Sequence, residues 1–188
     1  MSVRVTYEHE LEALKQDLKE MAHMVESAIE SRCLSLILRQ QPVASDLRQV
    51  STALKVVTDL ERIGDHASDI AELILRIKSE HAYHIVKHLP VMAASANGMV
   101  HDAIEAFIDQ DLDAAMEIIE RDDEVDTLFN QVKDDVIHLL QSSPDQADQG
   151  IDLLMVAKYL ERIGDHAVNV CEWTQFSKTG ALKNVRIM

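Results

Sequence analysis

The chain has 188 residues, enough for one domain or two small ones, and its 47% hydrophobic content can fill a packed core. A formal net charge of −15 repels nucleic-acid phosphates and anionic lipid headgroups, which argues against a DNA-binding role. Only 4% of residues are aromatic, with 5 Gly and 3 Pro, so the composition predicts an all-α fold; strands would need more β-branched and aromatic alternation.

Other classes are excluded on similar grounds. Cys33 and Cys171 lie in apolar helical stretches without a C-x-x-C spacing, so neither a disulfide framework nor a zinc site is expected. No stretch approaches 18 uninterrupted apolar residues, and Met1 to Glu10 is acidic and polar where a signal peptide has an apolar run. The expected location is cytoplasmic, with no direct membrane insertion. There is no Gly-rich phosphate loop and no G-x-S-x-G, so no enzyme chemistry is expected.

In chain order, Leu11, Leu14, Leu18, Met21, Val25 and Ile29 form an apolar stripe that predicts one long helix from Tyr7, ending before Pro42. Ser45 and Asp46 are good starters for a second helix, through Leu54, Val57, Leu60 and Ile70 to about Lys78. Ser79 to His84 is the break between halves, giving domains 1–80 and 84–184. Pro90 suits the first turn of a third helix through Met99, Ile104 and Phe107, and Asp109 to Asp111 reads as a turn. A fourth helix is expected from Leu112 to about Leu140. Ser142, Ser143 and Pro144 make a loop, and a last helix runs from about Asp145 to Phe176, ending near Gly180 with a basic tail. Met21, Met24, Met92, Met99, Met116 and Met155 are read as core gap fillers.

One string dominates this layout. Leu-Glu-Arg-Ile-Gly-Asp-His-Ala occurs at Leu60 to Ala67 and again, identically, at Leu160 to Ala167, which implies an internal duplication. Glu61, Asp65 and Asp69 fall at i, i+4 and i+8, and Glu161, Asp165 and Asn169 repeat the spacing, so on a helix each trio forms one stripe about 12 Å long. Asp122 and Asp126 repeat the i, i+4 pair on the fourth helix. Two readings compete: a solvated acidic face, or a metal-ligand array. Interleaving with Leu60, Ile63, Ala67 and Ile70 favours ligands, because a cation makes half-buried carboxylates tolerable. Oxygen ligands alone suit hard cations, iron or manganese, and the length of the stripe suggests more than one ion. Gly64 and Gly164, each mid-helix, suggest close approach of a neighbouring helix.

The remaining polar groups of the string have plainer readings. His66 and His166 follow their Glu by five positions, about 140° around the helix, so a ferritin-like Glu-x-x-His pair is absent and the histidines are read as packing or surface groups. Arg62 and Arg162 are read as ion-pair partners of Asp65 and Asp165.

Both copies of L-E-R-I-G-D, the lead-in Arg39 to Arg48, and Asp122-Asp-Glu-Val-Asp126 closely resemble the PhoU family of phosphate-uptake regulators. The resemblance implies a duplicated up-down helical bundle of two three-helix repeats. It implies multinuclear clusters of iron, zinc or other divalent cations, such as manganese or magnesium, on the E/D-x-x-x-D motifs. Carried over, the ligands are Glu61, Asp65 and Asp69 in the first repeat, and Glu161, Asp165 and Asn169 in the second, with Asp122 and Asp126 from the adjoining helix. The implied role is negative regulation of phosphate uptake and phosphate-starvation signalling, as an adaptor between a phosphate transporter ATPase subunit and a phosphate-sensing histidine kinase. The alternative is a carboxylate-rich metal-binding bundle with a storage or redox role. One departure stands out: Glu26 to Arg32 runs straight into the stretch from Cys33 to Gln41, where the family has a helical hairpin. The first repeat is thus expected to keep only about two long helices and to lack its counterpart of Asp122 and Asp126. Its open apolar face suggests a homodimer, with Tyr7 to Gln40 as the exchanged element.

Overall fold

Residues 26–40, 43–77 and 84–181 are described by the computed structural model, and every regular element among them is helical. The elements are α1 (residues 26–40), α2 (Ala44–Arg76), α3 (Leu89–Asp109), α4 (Leu112–Ser142) and α5 (Ala147–Thr179), with a single 3₁₀ turn at Pro144–Gln146 between α4 and α5. The part of the expected first helix from Tyr7 to Val25, the part of the expected break from Ser79 to Tyr83, and the basic tail lie outside the described residues.

Local chemistry sets most of the boundaries. Asp111 starts α4: its carboxylate accepts from the backbone N–H of Asp113 and Ala114, both at 3.0 Å, satisfying two of the amides a helix start leaves without partners. The preceding Gln110 closes α3 in the left-handed region, φ 56°, and its side-chain amide donates to Phe107 O at 2.8 Å. Pro90 sits in the first turn of α3, as expected. Gly180, at φ 73°, caps α5 through its N–H to Phe176 O, a conformation that would strain any residue with a Cβ. Two starts differ from expectation. The residue capping α2 is Val43, with no side-chain cap bond, so Ser45 and Asp46 already lie in the first turn. Pro144 to Gln146 form the 3₁₀ turn and α5 begins two residues late, at Ala147.

The second half is a three-helix bundle of α3, α4 and α5, and α2 packs against α5. Contacts between Arg76 and Asp152 at one end and Arg48 and Gly180 at the other make α2 and α5 antiparallel. Helix α5 therefore touches α2, α3 and α4, and buried Leu153, Val156, Leu160, Ile163, Ala167 and Val170 recur along it at helical spacing. Met92 and Met99 are fully buried, as core fillers should be. Met116 and Met155 are not: they are 49% and 39% exposed, because their positions fall on the outer faces of α4 and α5. On α1, Cys33 is buried but Leu34, Leu36 and Leu38 are 48–80% exposed. Asp135 joins the inter-repeat approach to the second bundle: one carboxylate oxygen accepts from the His88 backbone N–H at 3.2 Å and lies 2.7 Å from His88 Nδ1.

Candidate metal centre

The two copies of the octapeptide meet different surroundings. In the second copy, Gly164 lets α4 approach α5 closely: a Cβ there would lie 3.3 Å from Asp122 Oδ1 and 3.6 Å from Val125 Cγ1. At the equivalent Gly64 a Cβ would meet nothing within 4 Å. Both glycines were expected to mark close approaches; only Gly164 does among the described residues. No helix among the described residues stands beside Gly64 as α4 stands beside Gly164.

Asp122 and Asp126 on α4 thus share one surface with Glu161 and Asp165 on α5. Burial pushes the Asp122 carboxyl up to about 6, and the charges of Asp165, Asp126, Asp123 and Glu161 add to it. Asp165 is raised in the same direction, first by burial and then by Glu161, with Arg162 and Lys158 opposing. Arg162 is the partner expected for Asp165, at 3.9 Å, while Lys158 bonds Glu161 and lies over the Phe129 ring at 5.5 Å. The geometry therefore concentrates negative charge between two antiparallel helices and supplies only part of the positive charge needed to balance it. Divalent or trivalent cations suit such an all-oxygen donor set.

Asn169 turns away from this set. Its side-chain amide donates to Asp59 Oδ1 at 3.0 Å, across the seam with α2. In the first copy Asp65 is exposed and Glu61 and Asp69 are half-buried, with no counterpart of Asp122 and Asp126 among the described residues. The structure brings together four of the eight expected ligands and leaves the other four elsewhere.

The histidines are seam residues. His66 stacks on Tyr159 (ring centroids 5.5 Å apart) and beside His166 (5.6 Å), and its buried Nδ1 has no hydrogen-bond partner. Burial, then the neighbouring His166, holds the His66 imidazole below its usual value. His166 Nδ1 lies 2.8 Å from Asp59 Oδ1, and Trp173 Nε1 donates to Asp59 Oδ2 at 3.0 Å. The Asp59 hub is absent from the sequence-based reading, although an acid between Val57 and Leu60 on an apolar stripe was its signal.

A second cluster was also missed. Among the described residues only His101, Asp102 and Glu105 bring three potential ligand atoms within 4.8 Å of one another. They occupy one face of α3, His101 and Glu105 are largely exposed, and Asp102 is bonded to Arg121. The α4–α5 carboxylates do not converge to that distance, and two of them are paired with Lys158 and Arg162. Burial, with Asp102 nearby, pushes the Cys171 thiol up to about 12, so Cys171 is an inert core group.

A duplicated all-helical bundle with an acidic seam between the last two helices of one repeat defines the class of protein. Comparison with known proteins names it. The PhoU domain model matches residues 7–74 and 89–174. A phosphate-specific transport system accessory protein PhoU homolog of Clostridium acetobutylicum is 39% identical over 90% of this chain and 83% of its own length. A PhoU homolog 1 of Thermotoga maritima, with the same description, is 34% identical over 84% of this chain and 68% of its own. The crystal structure of PhoU from Pseudomonas aeruginosa superposes with a TM-score of 0.80 at 29% identity, over 90% of this chain and 81% of that one. The phosphate transport system regulatory protein PhoU from Streptococcus pneumoniae gives 0.80 at 28%, over 96% and 85%. The chain belongs to the PhoU family.

Proposed function

We propose that this chain is a cation-dependent negative regulator of phosphate uptake and phosphate-starvation signalling, acting by contact in the cytoplasm and not as an enzyme. The relatives' description as phosphate transport accessory proteins supports the phosphate role. The observation that carries the cation dependence is the Asp122 carboxyl, whose Oδ1 would lie 3.3 Å from a Cβ at position 164 and which burial, with Asp165, Asp126 and Glu161 nearby, raises to about 6. These four residues would hold the ion, iron, manganese, zinc or magnesium, singly or as a cluster. A Cβ at position 164 would intrude on Asp122, so the glycine keeps that space for the carboxylate and its ion. Bound there, a cation supplies positive charge that ties α4 to α5.

The adaptor reading names two partners, a phosphate transporter ATPase subunit and a phosphate-sensing histidine kinase. It takes the halves as 1–80 and 84–184. Exposed Leu34, Leu36 and Leu38 on α1 support a homodimer that covers the shortened first repeat. Tagged full-length chain, with metal or with chelator, is tested for retention of each partner. Metal-dependent retention of the ATPase subunit or the kinase supports the reading; retention of neither under both conditions contradicts it.

A further inference from the structure

Asp59 is 9% exposed, and among the described residues its three side-chain hydrogen-bond partners belong to one helix: His166, Asn169 and Trp173 of α5, at 2.8, 3.0 and 3.0 Å. Those partners follow directly after the carboxylate set along α5. Glu161 and Asp165 share a surface with α4, whereas His166, Asn169 and Trp173 reach toward α2. Asp165 and His166 are consecutive, so on a rigid helix neither can shift without the other.

We propose that the Asp59 clasp is a mechanical coupling that passes cation occupancy of the Asp122, Asp126, Glu161 and Asp165 set to α2, the helix carrying the first octapeptide. The coupling rests on the cation reading above. Without positive charge, the four carboxylates repel and resist closure of the α4–α5 gap. Neutralising them removes that resistance and lets α5 turn or slide toward α4. Hydrogen bonds of 2.8–3.0 Å weaken within a few tenths of an ångström of displacement, so the clasp either draws α2 along or opens. In the second repeat, Tyr159 stands where the first has Asp59 and stacks on His66, so the carboxylate clasp has no mirror image across the seam.

Trp173 is the sole tryptophan and donates directly to Asp59, which makes its emission a report on the clasp. Chelator-stripped full-length protein is titrated with zinc, whose filled d shell avoids paramagnetic quenching, following binding heat and Trp173 emission together. The expected result is an emission shift that saturates with the heat. In Asp59→Asn the heat should persist while the shift falls severalfold. Asn169→Ala, which keeps the buried carboxylate paired with His166 and Trp173, should give a reduced shift if Asp59→Asn fails to fold. Heat with unchanged emission, or an undiminished shift in both clasp variants, overturns the coupling and leaves the cation site standing. Absence of heat overturns the cation site itself. The metal-free double variant Asp122→Asn/Asp165→Asn then decides the coupling separately: displaced Trp173 emission supports it, and emission like the parent's overturns it.

Discussion

His66 and His166, the seventh residue of each octapeptide copy, lie side by side with ring centroids 5.6 Å apart and planes inclined by 31°. The duplication is therefore a physical seam as well as a sequence pattern: identical strings meet across α2 and α5. The copies diverge on the flanks of that seam. The second string has α4 beside it and shares an acidic surface with it, while at Gly64 of the first a Cβ would meet nothing within 4 Å among the described residues.

That difference separates two otherwise identical substitutions. Gly64→Ala places a methyl in open space and should raise stability by about 0.5–1 kcal/mol through helix propensity. Gly164→Ala puts its methyl 3.3 Å from Asp122 Oδ1, so the same gain should be diminished or reversed, and metal affinity should fall. Urea unfolding of both variants, with chelator present, checks the first contrast.

The Asp122 carboxyl gives a pH signature. Its folded value, about 6, lies above the ordinary carboxylate value of 3.8, so the folded protein holds this proton where the unfolded chain has released it. Stability of metal-free protein should therefore be higher below about pH 4 in this group's contribution, and decline as pH rises from about 4 to 6. Asp122→Asn should flatten that slope and raise the metal-free melting temperature at pH 7. Thermal melts across this range, with chelator, test the sign.

Removing the Asp59 carboxylate leaves the imidazole, amide and indole partners without their acceptor. Asp59→Ala should cost about 2–4 kcal/mol, since each buried polar group left unpaired costs about 1–3 kcal/mol and these are only partly buried. Denaturant unfolding measures it, and a cost below 1 kcal/mol would mean that water replaces the carboxylate.

The α4 cap offers a smaller check remote from the site. Asp111→Ala removes the acceptor for two backbone amides and should cost about 1 kcal/mol, with no effect on metal binding. Calorimetry and unfolding on the same variant separate the two effects.

Much of the helical layout and the duplication were legible because they depend on local spacing: Pro90, Asp111 and Gly180 each mark a boundary through their own backbone chemistry. All four members of the α4–α5 carboxylate set were legible for the same reason, since i, i+4 pairs declare a shared face; the other four expected ligands lie elsewhere. What periodicity omits is which helix stands opposite that face. Asn169 continues the ladder by count, yet α2 presents Asp59 and claims its amide. Met116 and Met155 fit a core register by spacing, but the face they occupy has no helix over it among the described residues. Asp59 was visible as an acid amid apolar neighbours, while its three partners lie more than a hundred residues downstream, beyond any local signal.

Manganese titration of chelator-stripped protein, read by calorimetry and melting temperature together, bears most directly on the cation site. Saturable binding and a higher melting temperature are expected in the parent and in Glu61→Gln/Asp65→Asn, with loss of both effects in Asp122→Asn/Asp165→Asn. Equal binding and stabilisation in the parent and in Asp122→Asn/Asp165→Asn, or none in the parent, would contradict the cation site.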